Sequence, residues 1–477
     1  MKTVTNNLKS RSKSGFFIAM SCPGCGGELH LEDNFFVLRC EHCDSVHRVS
    51  TPESPGAYIV PPRIDSAKAR FAADRYLKEK NLPLTENDTQ IKKIYYPYWK
   101  IDAVMLRLRK SKMKVVVREG EQYHDDLTHD KIMTDLNLSP YSTSISAGIK
   151  FDGIPATLGM RTEYIKLFAY ASDKIEKDFY PYPVTKSWEE MRTNLYQHLS
   201  AIGSVDVNEF GENKTELFAP KAALVYFPFY ILEDFNPSGY NRLVVDAVSG
   251  RLLNRVTEVD FDNSSVDENI PSITFGELKV EPHRCWNCGE DLPAEQSYLY
   301  ICRNCEAVNS IENSGLPQPK IFSVSSTDTN TDFYLPFWKM AIPEDLQPLL
   351  RPIFGGIYNS DTVLMPAFKA GNFDALYRLT KRVSAAYPKF NQSEIAKTDP
   401  RFVSVNLNIA EAVMYTDIFV RRDGLSKNSH KAVDFSFQPQ SADLVYIPFH
   451  RENYFLVDSV INAITVEKRI ISAFLGN

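Results

Sequence analysis

Cys22-Pro23-Gly24-Cys25-Gly26 is followed at Cys40-Glu41-His42-Cys43 by a second pair of cysteines with the same two-residue gap. Cys285-Trp286-Asn287-Cys288-Gly289 is answered in the same way by Cys302-Arg303-Asn304-Cys305, and these two quartets use all 8 cysteines of the chain. A two-residue gap lets one tight turn aim both sulfurs at a single point, so two turns complete a tetrahedral cage of the kind Zn²⁺ takes from thiolates. The spacing therefore predicts two zinc ribbons, with Cys22, Cys25, Cys40 and Cys43 holding one structural ion and Cys285, Cys288, Cys302 and Cys305 the other. A glycine follows the second ligand of each leading pair, where the chain must turn sharply. Strand-like stretches, Phe35 to Arg39 and Tyr298 to Ile301, lie between the pairs.

Length and composition bound what surrounds the ribbons. The 477 residues are too many for one core, and 43% hydrophobic with 24% charged residues is the balance of a globular protein with several domains. The net charge of -6 supplies no global basic field to attract nucleic acid or an acidic membrane. The longest apolar stretch, Ala222 to Leu232, is too short to span a bilayer and contains Pro228, and the opening residues lack a full signal-peptide core. A cytoplasmic protein with no membrane span is expected, since reduced thiolates persist in the cytosol.

Aromatic residues make up 12% of the chain, and many fall in a recurring aromatic-proline motif. It reads Tyr96-Pro97-Tyr98-Trp99, Tyr226-Phe227-Pro228-Phe229-Tyr230, Tyr334-Leu335-Pro336-Phe337-Trp338 and Tyr446-Ile447-Pro448-Phe449-His450, with Leu364-Met365-Pro366-Ala367-Phe368 a weaker relative. The composition is that of β-strands, and the prolines point to strand edges, strand starts or bulges. Three copies follow a helix signal. Asp65 leads into Ala69, Ala72, Ala73 and Tyr76; Ser187 and Glu190 form a capping box ahead of Trp188, Met191, Leu195, Leu199 and Ile202; Asn408 with Glu411 opens the third. A second strand is expected after the motif, over Val104 to Val117, Leu243 to Val256 and Tyr454 to Ile464, with Asp246 to Arg251 as a hairpin turn.

The fold class expected is α+β, with two Cys₄ ribbons each followed by repeated α-β-β modules whose helices cover antiparallel sheets. Polar runs at Asp262 to Ser272, Ser323 to Asp332 and Arg421 to Ser441 read as linkers. The chain parses as an N-terminal tail (1–15), a first ribbon (16–50), a first module of two sub-repeats (57–260), a linker (261–278), a second ribbon (279–315) and a second module (320–477).

The order of ribbon, Tyr58-Ile59-Val60-Pro61, helix, Ile94-Tyr95-Tyr96-Pro97-Tyr98-Trp99, then Leu224 to Phe229 with Val244 to Arg251 resembles a family of bacterial zinc-ribbon proteins of poorly defined function. Its members are often labelled primosomal or helicase-like from the ribbon alone. Their genes neighbour those of SPFH-domain or phage-shock-type membrane-associated proteins, so the resemblance implies a scaffold or adaptor with protein partners of that kind in an envelope-associated assembly. Many members carry transmembrane segments, and this sequence has none.

Enzymatic signatures are missing from the sequence. There is no phosphate-cradling G-x-x-x-x-G-K-[ST], no G-x-G-x-x-G and no G-x-S-x-G. Asp328, Asn330 and Asp332 begin like a calcium loop, but Phe333 replaces its glycine and Lys339 stands at the place of its bidentate Glu. His124, Asp125, Asp126, His129 and Asp130 lack a pattern that would fix a metal site and read as a solvated loop. Arg107, Arg109, Lys110, Lys112, Lys114 and Arg118 carry the case for nucleic acid, as a phosphate-tracking stripe on a strand, against the plainer reading of a solvated sheet face. A non-enzymatic zinc-binding scaffold is the expectation, with a nucleic-acid-associated ribbon protein as the alternative.

Overall fold

The computed structural model describes residues 17–31, 36–50, 55–82, 89–117, 127–158, 165–170, 176–195, 214–236, 239–257, 275–276, 278–311, 316–325, 331–358, 360–370, 372–395, 397, 399–426 and 436–468. These are mostly strand, with fewer helices, and they divide into two compact units. One comprises Met1–Ser45 and Thr51–Val280, the other Val46–Ser50 and Glu281–Asn477.

In the first unit, Lys214–Asn236 is the central strand. Gln90–Val117 runs antiparallel along one flank, while the other flank is shared by Gly56–Ile59, parallel at residues 223–226, and Gly239–Asp246, antiparallel from Phe229 onward. Gln90–Val117 is itself flanked by Tyr180–Pro181, parallel at Ile94 and Tyr95, and by Leu127–Ser146, antiparallel from Tyr98. The sheets are therefore mixed, which corrects the expected all-antiparallel arrangement. The strands that pair in parallel are separated in sequence by long connections, which permit a crossover that a tight turn forbids.

That arrangement accounts for Pro97 and Pro228, neither of which lies on an edge strand, whereas Pro366 of the weaker motif copy ends the edge strand Thr362–Pro366. Pro228 falls in the step where Gly56–Ile59 has ended at Tyr226 and Gly239–Asp246 begins at Phe229, and Pro97 in the step between Tyr180–Pro181 and Leu127–Ser146. A proline has no N–H to give a ladder, and at a changeover between two neighbours no ladder bond is lost. For Pro97 and Pro228 the expectation of edges, starts or bulges is corrected to this placement.

A second correction concerns Val104 to Val117, which is the unbroken continuation of Gln90–Val117 and not a separate strand after a turn. Its alternating pattern suits one long strand as well as two short ones.

In the second unit, Ala442–Glu452 is central. Phe333–Ala341 runs antiparallel on one flank; Ile321–Val324, parallel, and Phe455–Asp458, antiparallel, share the other. Pro336 lies opposite Tyr446 and Pro448 opposite Tyr334, the register in which Pro97 meets Tyr226 and Pro228 meets Tyr95 in the first unit. Helix Ile409–Ser426 runs into the stretch expected to be a linker from Arg421, and Ser323 lies in strand Ile321–Val324. Buried Ile418, Phe419 and Val420 hold that helix to the core, which tertiary packing provides and local polarity hides.

Alternation along the motif strands divides the core between two faces. Tyr95, Trp99, Tyr226 and Tyr230 pack on one side with Ala69, Ala73 and Leu77 of helix Ser66–Glu79, while Tyr96, Tyr98, Phe227 and Phe229 pack on the other. Each buried aromatic contributes about 2–3 kcal/mol from apolar burial. Among the described residues, no helix is long and apolar enough to cross a membrane.

Candidate metal centres

Each quartet is built from two knuckles of one design. In the first, Cys22 N–H donates to the Gly27 carbonyl at 2.7 Å and Gly26 N–H to the Cys22 carbonyl at 2.9 Å; Cys285 with Glu290 and Gly289 repeats this at 2.8 and 3.0 Å. Gly26 and Gly289 sit at φ 73° and 76°, and a Cβ there would meet nothing within 4 Å, so glycine is chosen for conformation and not for space. The trailing knuckles close through Cys40 with Ser45 and Asp44, and Cys302 with Ala307 and Glu306. There the residue after the second cysteine, Asp44 at 63° or Glu306 at 62°, takes the left-handed conformation without a glycine. Sequence reading missed these two; the position after the second ligand was the available signal.

The sulfurs of each quartet lie within 4.8 Å of one another, so each group can hold a metal ion. Cys22 to Cys43 is 3.7 Å, Cys25 to Cys40 3.6 Å, Cys285 to Cys305 3.6 Å and Cys288 to Cys302 3.6 Å. A tetrahedron with metal–sulfur bonds of about 2.3 Å has edges of about 3.8 Å, whereas a disulfide requires about 2.05 Å. The eight cysteines form no disulfide with one another and are spaced for an ion. These are the two groups of metal-ligating type among the described residues.

Donors around the sulfurs favour thiolates. Burial raises the Cys22 thiol, but the N–H groups of Cys25 and Gly24 and the Ser45 hydroxyl outweigh it and bring the group down to about 5. Burial likewise opposes the N–H groups of Cys288 and Asn287 and the amide of Asn309 at Cys285, which falls to about 6. Gly27 N–H lowers Cys25, yet its thiol neighbours, Cys43 foremost, push it up to about 12. Four crowded sulfurs resist full ionisation until a cation balances them. Gly27 N–H donates to Cys25 Sγ at 3.4 Å, Ser45 Oγ lies 2.9 Å from Cys43 Sγ, and the buried Asn309 donates from Nδ2 to Cys285 Sγ at 3.5 Å. Ser45 and Asn309 orient ligands as outer partners do, and nothing in the cysteine spacing pointed to them.

The remaining sequence candidates do not join these centres. Arg107 is exposed, Lys110, Lys112 and Lys114 lie on Gln90–Val117 with side chains outside the described residues, as does that of Arg109, and Arg118 lies outside them altogether. His124, Asp125 and Asp126 are also outside the described residues, and His129 and Asp130 are placed only as backbone of Leu127–Ser146. A cavity of about 360 Å³ in the first unit is lined by Arg63, Lys68, Lys93, Asp65, Glu176 and Asp178 among others. Within it Lys93 pairs with Asp178 at 2.9 Å, and no cysteine lines it.

The aromatic residue two places after each motif proline is mostly inside. Trp99, Tyr230 and Trp338 are 1%, 3% and 5% exposed, while His450 is half-buried with Nδ1 3.1 Å from Ser459 Oγ. They form core and not a shared exposed groove. No protein-family model, curated protein or solved structure matches the chain.

Proposed function

We propose that this protein is a non-enzymatic scaffold whose two Cys₄ centres each hold a structural Zn²⁺ and whose body is built from repeats of one α-β-β module. The observation that carries the zinc reading is the sulfur spacing of 3.6 to 3.7 Å in both quartets. Four protein sulfurs complete the tetrahedron and leave no position for a substrate or an activated water, so the chemistry supplied is cross-linking of the fold.

The repeat reading is supported by one recurring hydrogen-bond pattern. Ala147, Ala247, Ala367 and Ser459 donate to the carbonyls of Pro97, Pro228, Pro336 and Pro448 at 3.0, 3.1, 2.9 and 2.9 Å. The carbonyls of Ala147, Ala247 and Ala367 in turn receive the N–H groups of Thr185 and Lys186, Arg63 and Ile64, and Asn406 and Leu407. Each of these pairs immediately precedes a helix-capping residue, Ser187, Asp65 or Asn408.

Zinc content by native mass spectrometry tests the first part: two ions per chain are expected, and one ion, or iron, overturns it. Cys25→Ser or Cys288→Ser is expected to remove one ion and unfold the local ribbon while the sheets persist. The resemblance to envelope-associated bacterial zinc-ribbon proteins supports protein partners of the SPFH or phage-shock type. Affinity capture with mass spectrometry tests that reading, and salt-dependent binding of DNA or RNA lost on neutralising residues 107 to 118 favours the nucleic-acid alternative.

A further inference from the structure

The cavity of about 360 Å³ in the first unit has walls that the fold holds in place. Along residues 62 to 65 the N–H groups of Arg63 and Ile64 donate to the Ala247 carbonyl at 2.9 and 3.1 Å, and the Tyr230 hydroxyl donates to the Ile64 carbonyl at 2.8 Å. Asp65 accepts the Lys68 N–H at 2.8 Å. A second wall is the turn that begins at Glu176, closed by the Phe179 N–H on its carbonyl at 2.9 Å and tied by Asp178 to Lys93 of strand Gln90–Val117. The buried rings of Phe179 and Tyr230 also line the cavity, 5.5 Å apart and inclined at 63°. A site formed in advance spares a ligand the cost of ordering it.

Oxygen acceptors without a cation gather at these walls. Asp65 and Glu176 both line the cavity, and neither forms an ion pair among the described residues. After burial, the charges of these two carboxylates are what raise the Tyr230 hydroxyl, so both act at its end of the cavity. Tyr95 packs its ring on Phe179 at 4.9 Å. Its hydroxyl is buried next to Glu176 and closes no hydrogen bond, although the Glu176 backbone comes near it. Buried hydroxyls are nearly always paired, so one left open against a cavity wall marks a place for a donor from a ligand.

Size and lining decide what kind of cation fits. A bare metal ion is enclosed by oxygens at about 2.3–2.6 Å and needs far less room, whereas aromatic faces beside carboxylates suit an alkylammonium, whose charge is drawn to the rings while its carbons cover them. We propose that the cavity binds a small organic amine, its ammonium between Asp65 and Glu176 and its carbons against Phe179 and Tyr230. The exposed Arg63 and Lys68 line the same cavity and suit a carboxylate at the far end of such a ligand. A plain diamine and a free amino acid are thus two sources of one chemistry. The proposal goes beyond the scaffold reading and does not depend on it.

Calorimetric titration of the full chain with cadaverine and, separately, with lysine tests it, and the two arms tell a plain amine from an amino acid. One site per chain, of roughly millimolar affinity or tighter, is expected for at least one of them. Glu176→Gln and Asp65→Asn are each expected to weaken it about tenfold, the loss of one charge-assisted hydrogen bond. Asparagine caps a helix about as well as aspartate, so the second change keeps helix Ser66–Glu79 in place. Tyr95→Phe keeps the ring and is expected to weaken binding several-fold. Should Asp65→Asn lose its circular-dichroism spectrum, Glu176→Gln, at an exposed position, decides alone. No saturable heat with either amine overturns the proposal, as does binding indifferent to Glu176→Gln and Asp65→Asn. Binding of inorganic phosphate that is lost in Lys68→Gln, with neither amine bound, overturns it in favour of an anion. Zinc content and partner capture are read separately, so the scaffold reading stands or falls apart from these outcomes.

Discussion

The indole Nε1 of Trp99 donates to the backbone carbonyl of Lys186 at 2.9 Å, across 87 residues of sequence. Trp338 does the same to Leu407 at 2.8 Å, and the Tyr230 hydroxyl to Ile64 at 2.8 Å. In each case the acceptor is the residue before a helix N-cap, so a core aromatic pins the place where a helix begins. Trp99→Phe or Trp338→Phe keeps most of the apolar volume and takes the indole donor from a carbonyl that is part-buried at Lys186 and buried at Leu407. Each is expected to cost about 1–3 kcal/mol in urea unfolding, and Tyr230→Phe a comparable amount. Losses near zero would show that water satisfies these carbonyls.

Glu233 gives the first unit an acid-sensitive site. Burial raises its carboxyl, but bonds from Lys92, Tyr240 and Arg242 outweigh it and leave it below the ordinary carboxylate range. A depressed folded-state value contributes stability that is full above the unfolded value of about 4.3 and is lost as pH falls through the folded value. Glu233→Gln is expected to cost about 3 kcal/mol at neutral pH, with the gap from wild type closing in acid. Unfolding both proteins across that range checks it, since any acid release of metal affects both alike.

Asp458 is fully buried, and its carboxylate accepts the N–H groups of Val460, Ile461, Asn462, Ala463 and Ile464 at 2.7 to 3.2 Å. Asn would turn an amide donor toward some of those donors. Asp458→Asn is expected to destabilise the second unit by about 3 kcal/mol. Hydrogen exchange should report the loss first over Phe455–Asp458 and Thr465–Glu467, which the turn joins.

Gly26 and Gly289 test the knuckle geometry. Forcing an alanine to a φ near +75° costs about 1–2 kcal/mol, which is roughly a 5- to 30-fold loss of metal affinity. Gly26→Ala and Gly289→Ala should therefore each show such a loss at one centre in chelator competition. Asp44→Gly, at a position already left-handed, should lose none.

Local chemistry was legible along the chain. The two cysteine quartets, the reciprocal caps of Asn408 and Glu411, the caps of Asp65 and Ser187 and the turn after Asp246 need only neighbours a few residues away, so composition and spacing reveal them. The long-range pairings were not. Nothing in Tyr58 or Phe322 says that it will lie beside Val225 or Val445 in parallel, and nothing in Pro97 or Pro228 says that it will stand where one neighbouring strand gives way to the next.

What the sequence by itself determined is the set of cages, caps and β-forming aromatic strands, because thiol spacing, capping chemistry and side-chain alternation act over a few residues. What only the tertiary structure decided is the partnering: which strand flanks each proline, which carbonyl each tryptophan reaches, and that Ser45 and Asn309 stand beside sulfurs. Those choices depend on closing long loops to bury whole faces at once. That free energy belongs to the assembled sheet and to no single segment of the chain.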